Sequence, residues 1–482
     1  ELAFPMKKNL EIDDIAYQAK GSIVDFKMPN TEILSAISGP LVEFSVNPEA
    51  LELTGQFQTE GVELYGQFFY NRKKQKSRLA ADFEIDRALM NTLALPVSDK
   101  LVQGSSVAKL SLELPKDGIP NFEIKSDLIG IKLSIDQVKW QKPASSYGEL
   151  IITGTIDNGL KFDNIFLSAD GLVLNGRPTA GAEQGLGQLV FDNFKLDQRI
   201  DVTGRYGPSQ KLTIKKGYFD ARPYLLGAQR RVDITDRIPA SISLDRVRIT
   251  KKLYLKNFNA DLTLGNGLSG NFTAELGPRG KITGNLNPLR SRTAVEILSD
   301  QGGALLKEFG VIKGASGGKL RLTLTPAKDG KSTDAYLKVD DVKIQGAPFL
   351  AELLNAISIV GLLDQLSGPG ISLNEIEANF RIQQDQVILK DFTIFGPSMG
   401  ITMDGYYNLK TKVMDMQGVI SPIYVINGVG SLVTQKGEGL IGFNFKLKGP
   451  SDTVVLSVNP LSALTPAIFR DLFRRPPPNY NE

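Results

Sequence analysis

Three glycine-rich strings in the chain resemble sites that bind phosphate groups or activate a nucleophile. Residues 265–270, GNGLSG, fit the pattern G-x-G-x-x-G, but the following NFTAEL alternates as a strand, whereas a dinucleotide site needs a helix N-terminus there. Residues 314–318, GASGG, fit the nucleophile pattern G-x-S-x-G around Ser316. Residues 317–320, GGKL, resemble the end of a phosphate loop, but Leu320 replaces the Ser or Thr that holds magnesium. We interpret all three strings as turns between strands.

The chain of 482 residues contains no histidine and no cysteine. Ser316 therefore has no imidazole base to activate it, and thiolate zinc sites, iron–sulfur clusters and redox cysteine pairs are excluded. The acidic pairs Asp13-Asp14 and Asp340-Asp341 do not converge on one site, because adjacent residues of a strand point to opposite faces. We expect no enzymatic activity, no cofactor and no metal site.

The charge balance gives no indication of a polyanionic partner. The 56 Lys and Arg residues face 53 Asp and Glu residues without a long run of either sign, so we expect no nucleic acid binding. The most apolar window, residues 350–366, is interrupted by Glu352, Asn355 and Asp364 and is too short to cross a bilayer. Because the chain opens without an initiator Met or a signal sequence, we interpret it as part of a longer polypeptide.

Alternation of apolar and polar residues is the strongest pattern, and it is typical of strands with one apolar face. It is clearest in four C-terminal segments, whose apolar positions are Leu320, Leu322 and Leu324; Ile376, Phe380 and Ile382; Ile401 and Met403; and Ile441, Phe443, Phe445 and Leu447. Alternation alone fits either an open apolar floor or the core of a closed sandwich or barrel.

The apolar phase changes once within a single strand-like segment. In residues 253–264 it passes from Leu253 and Leu255 to Phe258 and Ala260, which predicts a bulge near residues 256–257. Strand-plus-turn units of about 10 to 12 residues give roughly 35 strands, too many for one compact sandwich. We therefore predict a mainly β fold, an elongated and twisted antiparallel β-groove formed by an open sheet, with a few short amphipathic helices at intervals and at the C-terminus.

Helix start and stop signals predict six short helices between the runs of strands. They cover residues 31–38, 86–94, 220–229, 300–309, 347–366 and 465–475. The helix over 347–366 carries an apolar stripe, at Leu350, Leu353, Leu354, Ile357, Val360 and Leu363, that we expect to pack on the sheet. The last helix has an apolar face next to arginines, and it either lies on an anionic membrane surface or caps the end of the sheet; its residues are Ile468, Phe469, Leu472, Phe473, Arg474 and Arg475.

The C-terminal part of the chain resembles a known family. Residues 299–326, 347–382, 396–428 and 437–473 are similar to the C-terminal region of AsmA-like proteins, most closely the YhdP-type branch, and the string KGPSDTVVLSVNPLSALTP is its most specific block. Upstream of residue 290 the likeness is limited to a β-rich pattern and the string DARPYLL. Between residues 426 and 437 the chain lacks the longer apolar insertion that is usual in the family.

The resemblance implies a bridge-like lipid-transfer protein in the periplasm of a Gram-negative bacterium. It implies an inner-membrane anchor upstream of this chain and an apolar groove that carries phospholipid acyl chains towards the outer membrane. The twelve alternating residues given above would line that groove. The alternative function is envelope assembly or tethering, in which exposed sheet edges pair with outer-membrane components by β-augmentation. We predict three segments: β-groove repeats over 1–290, the AsmA-like region over 291–475 and a Pro-rich disordered tail over 476–482.

Overall fold

The protein is mainly β. The computed structural model describes residues 2–3, 16–30, 35–92, 101–157, 159–180, 186–207, 211–225, 237–277, 280–422, 441–451, 453–464 and 475–478. Strands make up 65% and helices 10% of the structure, and 26 strands form one antiparallel sheet that is not closed into a barrel. The prediction of a mainly β fold built on a large open antiparallel sheet is therefore confirmed.

The chain divides into two compact units, the first from Glu1 to Gly217 and the second from Tyr218 to Glu482. The division falls within a strand, Leu212–Asp220. The boundary that the sequence placed at residue 290 lies inside the second unit, at a tight turn between two paired strands.

The first unit contains a row of antiparallel strands and a small second sheet. Its large-sheet strands are β3 (Ala19–Met28), β4 (Ile37–Val46), β5 (Ala50–Thr59), β6 (Val62–Asn71), β7 (Lys76–Ile85), β9 (Ser106–Leu114), β10 (Asn121–Ser126), β13 (Gly148–Ile156), β14 (Leu160–Ala169), β15 (Leu172–Ala180), β16 (Leu186–Leu196) and β17 (Ile200–Tyr206). The smaller elements are β1 (Leu2–Ala3), β2 (Ala16–Tyr17), β8 (Val102–Gly104), β11 (Ile131–Ile135), β12 (Trp140–Lys142) and helix α1 (Arg87–Thr92). Strands β8, β11 and β12 form the small sheet.

A buried lysine fixes the small sheet of the first unit. Lys142 is fully buried, and its ammonium group donates to the carbonyl oxygens of Leu128 at 2.8 Å, Ile131 at 2.9 Å and Pro143 at 3.1 Å. Trp140, two residues earlier, donates from its indole N–H to the carbonyl of Asp170. Burial lowers the pKa of Lys142, but three acceptors satisfy all its donors. We assign this lysine a structural role.

The second unit contains the other strands of the large sheet and most of the described helices. Its strands are β18 (Leu212–Asp220), β19 (Ile238–Arg248), β20 (Tyr254–Leu264), β21 (Ser269–Leu276), β22 (Gly280–Leu289), β23 (Arg292–Ser299), β24 (Ala315–Pro326), β25 (Thr333–Ile344), β26 (Ile371–Gln383), β27 (Gln386–Phe395), β28 (Met399–Asn408), β29 (Val413–Pro422), β30 (Phe443–Pro450) and β31 (Val455–Asn459). Its helices are α2 (Arg222–Leu225), α3 (Gly302–Glu308), α4 (Pro348–Ala356) and α5 (Val360–Ser367), and a 3-10 turn covers Pro460–Leu464.

The predicted bulge between β20 and its neighbour is confirmed. The register of β20 against β21 shifts between Lys256 and Asn259, and Asn257 adopts a left-handed conformation with φ 47°. The extra residue lets Leu255 and Ala260, an odd number of positions apart, share the buried face of the sheet.

Two helix predictions need correction. The predicted helix over 31–38 is wrong at its end, because β4 begins at Ile37, and residues 31–34 lie outside the described residues. The predicted helix over 347–366 is two helices, α4 and α5, separated where Ser358 has φ 59°. The break changes the buried stripe: Val360 is 66% exposed, and Leu362 and Leu366 are buried instead. The predicted helices over 86–94 and 300–309 correspond to α1 and α3.

Candidate functional site

Cross-strand pairing in the second unit aligns apolar residues into rows that run across the strands. Paired residues of antiparallel strands lie on the same face, so a chain of paired positions can be followed from β19 to β31. The central row consists of Ile242, Ala260, Phe272, Gly284, Ile297, Leu322, Leu337, Ala378, Phe392, Met403, Gly418, Phe445 and Val458. Every member is apolar or glycine, and the row crosses all thirteen strands without a polar side chain.

A second row runs beside the central row, two residues away on every strand except β27, where a bulge makes the offset three residues. Its members are Ala240, Leu262, Gly270, Leu286, Val295, Leu324, Ala335, Phe380, Leu389, Gly405, Met416, Leu447 and Leu456. It is also entirely apolar or glycine. Several large side chains in the two rows, among them Leu322, Leu324, Phe380 and Met403, are only half-buried although they lie on interior strands. This apolar face therefore keeps contact with solvent along part of its length.

A third row, on the other side of the central row, is covered by helices. We name it the capped row; it consists of Ser299, Leu320, Val339, Ile376, Ile394, Ile401, Ile420 and Phe443. Helix α3 packs on β24 and β25, and α5 packs on β26. Leu353 and Leu354 of α4 have no exposed surface, and Val339 and Ile376 beneath the helices have none either. The helices thus close one edge of the apolar face.

The structure brings together all the predicted groove residues except Ile441. The capped row contains Leu320, Ile376, Ile401 and Phe443, the central row contains Leu322, Met403 and Phe445, and the second row contains Leu324, Phe380 and Leu447. Ile382 lies just beyond the second row, where it pairs with Thr333 and Val387. Ile441 lies before β30 and is 53% exposed. The predicted C-terminal helix residues Ile468, Phe469, Leu472, Phe473 and Arg474 lie outside the described residues.

Two phenylalanine rings of the central row lie flat over a glycine of the next strand. A Cβ atom on Gly284 would meet Cε1 of Phe272 at 2.1 Å, and a Cβ atom on Gly418 would meet Cζ of Phe445 at 2.5 Å. A glycine opposite an aromatic residue lets the ring cover the bare backbone. At these positions the ring lies close to the backbone of the sheet and does not project from the apolar face. The pairs can be identified only from the strand register, which the sequence alone does not show.

The opposite face of the same strands is polar and linked by ion pairs. At its centre, Lys338 lies 2.9 Å from the carboxylate of Glu375, which raises the pKa of Lys338. Burial raises the pKa of the Tyr336 hydroxyl, which also donates to Glu377 at 2.9 Å. The two faces of the sheet therefore differ in chemistry: one is apolar and the other carries ion pairs.

Arg475 attaches the C-terminal segment to this polar face. Its guanidinium donates to both carboxylate oxygens of Asp415, at 2.8 and 3.0 Å, and this hydrogen bonding lowers the pKa of Asp415. Its backbone N–H and carbonyl pair with the side-chain amide of Gln417, which is 2% exposed. Pro478 nearby in the chain is buried. Arg475, predicted for a membrane-facing or capping helix, is thus held at the sheet in a non-helical segment.

The first unit has an apolar face of its own. One row crosses its twelve large-sheet strands, through Ile23, Val42, Gly55, Gly66, Ala81, Leu110, Ile124, Ile152, Ile165, Gly176, Phe191 and Gly204. Phe191 covers Gly204 as Phe445 covers Gly418. No residue of this row was predicted as a groove residue, because five of its members are Gly or Ala and give only a weak alternation signal.

The turn between β24 and β25 contains a carboxyl group with a lowered pKa, which predicts that the protein loses stability at low pH. Hydrogen bonds from the Ser332 hydroxyl and from the N–H groups of Ser332 and Lys331 lower the pKa of Asp329 to about 2. A carboxyl whose pKa is lower folded than unfolded adds stability above its unfolded pKa and loses it as the pH falls towards 2. We expect Asp329→Asn to reduce the loss of unfolding free energy between pH 4 and pH 2, measured by urea titration. Equal losses in both proteins would contradict this.

Within the described residues, no group of three or more acidic side chains is placed to hold a metal ion. No helix among them is long and apolar enough to cross a membrane. Comparison of the chain with protein-family models, curated proteins and solved structures gives no match.

Proposed function

We propose that this protein is a non-enzymatic lipid-transfer protein whose apolar face carries the acyl chains of phospholipids. The observation that carries the proposal is the central row, which crosses thirteen strands without a polar side chain. With strands about 4.8 Å apart, this row provides an apolar path on the order of 58 Å long. A path of that length exceeds what a small-ligand pocket requires.

The energetics of lipid transfer explain why such a path is useful. Moving an acyl chain from a bilayer into water costs about 0.8 kcal/mol per methylene, so a free lipid leaves a membrane very slowly. Half-buried apolar side chains such as Leu322, Phe380 and Met403 offer replacement contacts. Because no charged group interrupts the two rows, a chain can move along them without desolvating a charge.

The proposed compartment is based on the family resemblance of residues 299–473. We propose that the protein acts in the periplasm of a Gram-negative bacterium, anchored in the inner membrane by a segment upstream of this chain. It would move phospholipid between the inner and outer membranes and so support the integrity of the outer membrane.

The direct test is lipid stoichiometry. The chain is purified without added detergent, extracted, and analysed by mass spectrometry for phospholipid bound per chain. We expect several phospholipids per chain, since each acyl chain occupies only part of the apolar path. A lipid-free protein of normal stability would refute the proposal.

A second candidate, envelope assembly or tethering, is supported by the last described strand of the sheet. Among the described pairings, the five-residue strand β31 pairs with β30 alone, and its Val455 is 66% exposed. An edge strand can accept a strand from another protein. The same mass spectrometry separates the two functions, because tethering does not require lipid on the apolar face.

A further inference from the structure

The two edges of the apolar face in the second unit differ in their connections. At one edge, α3, α4, α5 and the 3-10 turn cover the strand ends, with Leu305, Leu306 and Leu366 buried against them. At the other edge, the strands are joined by short turns. We name this second edge the turn rim: residues 265–268, 290–292, 327–332, 384–385, 409–412, 451 and 453–454.

Hydrogen bonds and an ion pair link successive turns of the rim. Arg292 donates from its guanidinium to the carbonyl of Ser332 at 2.6 Å, joining the turn after β22 to the turn after β24. Lys410 lies 2.6 Å from the carboxylate of Asp385, and Ser451 donates its N–H to the carbonyl of Lys412. The turns therefore form a structured border beside the second row.

The turn rim is basic, whereas the helical edge has no net charge. Among the described residues, the cations of the rim are Arg290, Arg292, Lys328, Lys331, Lys410 and Lys412, and its anions are Asp329 and Asp385. The described connections of the helical edge between β19 and β30 carry four cations, Lys251, Lys252, Lys307 and Lys313, and four anions, Asp300, Glu308, Glu352 and Asp364. The charge difference is specific to the edge, since the whole chain is nearly neutral.

Geometry places a lipid headgroup at the rim. The rim begins about 10 Å beyond the second row, at roughly 3.3 Å per residue, and no described helix lies on it. The headgroup of a lipid whose acyl chain lies on the rows can reach water at the turn rim, whereas the helices cover the opposite edge. Neighbouring turns are about 10 Å apart, comparable to the Debye length, so a phosphate at one turn interacts with the cations of the next turn.

We propose that the turn rim binds the phosphate headgroups of the lipids whose acyl chains occupy the apolar rows, and that it selects anionic over zwitterionic headgroups. This inference rests on the proposed lipid-transfer function. The rim lysines are exposed, so each contact is weak, and selection comes from their number. A preference of roughly threefold is expected, the ratio that one exposed ion pair supplies.

The test compares two headgroups on the full chain. Vesicles containing equal phosphatidylglycerol and phosphatidylethanolamine with the same acyl chains are incubated with the protein, and the bound lipids are measured by mass spectrometry. The rim variant carries Lys328→Glu, Lys331→Glu, Lys410→Glu and Lys412→Glu. The control carries Lys281→Glu, Lys319→Glu, Lys343→Glu and Lys446→Glu, which remove the same charge from exposed lysines of the polar face.

We expect phosphatidylglycerol to be enriched about threefold on the wild type and the control, and the enrichment to be lost in the rim variant with total lipid nearly unchanged. Wild-type lipid without headgroup preference, or enrichment that persists in the rim variant, would overturn the inference but not the proposed function. A wild type without lipid would overturn both. Calorimetric binding of inorganic phosphate alone, without headgroup preference, would assign the rim to a free anion and overturn the inference.

Discussion

Replacing Leu322 and Met403 together by glutamate is expected to remove bound phospholipid while leaving the protein folded. Both side chains lie in the central row, on β24 and β28, and both are half-buried. Three strands lie between them, so four strand spacings of about 4.8 Å put them roughly 19 Å apart, and an acyl chain moving along the row meets both charges. Burying an unpaired carboxylate under a lipid costs several kcal/mol, which lowers occupancy by more than about a hundredfold.

The measurements are lipid per chain by mass spectrometry and transfer of a labelled phospholipid between vesicles. The matched control is Thr323→Glu with Tyr406→Glu, which adds the same charges to the polar face of the same strands. Tyr406 is 38% exposed, so glutamate there remains solvated. Undiminished lipid in the central-row variant would refute the acyl path. Unfolding of that variant, with a stable control, would show instead that the apolar face is a closed core.

The sequence predicted which residues of a strand lie on the apolar face better than it predicted which residues of neighbouring strands are paired. Alternation identifies which residues of one strand share a face, and the phase change in β20 located the bulge at Asn257. It does not identify partners, because register depends on turn lengths and on bulges in neighbouring strands. The rows, the glycines beneath Phe272 and Phe445, and the basic turn rim therefore emerge only from the paired strands.

Local structure overrode periodicity in two places. The stripe from Leu350 to Leu363 fits one helix, but the left-handed Ser358 interrupts it, and packing then buries Leu362 and Leu366. Ile441 continues the alternation of β30 by sequence, yet β30 begins at Phe443 and Ile441 is exposed. In both cases the apolar pattern extends past the point where the backbone leaves its regular conformation.

Substituting Gly418 with alanine is expected to destabilise the second unit strongly. The added Cβ atom would lie 2.2 Å from the carbonyl oxygen of Thr402 and 2.5 Å from Cζ of Phe445. The Thr402 carbonyl belongs to a paired strand and cannot rotate away from the added Cβ atom. Either the sheet must therefore deform, or the Phe445 ring must move away from the apolar face. Overpacking of this kind lowers the free energy of unfolding by about 1–3 kcal/mol, measured by urea titration. Gly361→Ala in α5 is the control, since its Cβ meets no atom within 4 Å.

A double-substitution cycle separates the two contacts of Gly418. Phe445→Leu removes the ring but leaves the carbonyl of Thr402 in place, so Gly418→Ala should cost less in that background without becoming neutral. If the cost is unchanged, the ring does not rest on the glycine. If the cost disappears, the carbonyl contact relaxes freely and the backbone of β28 is less constrained than its pairing with β29 implies. An intermediate loss of unfolding free energy means that the ring and the carbonyl together exclude a side chain at residue 418. The ring of Phe445 then stays close to the sheet where a lipid chain would pass.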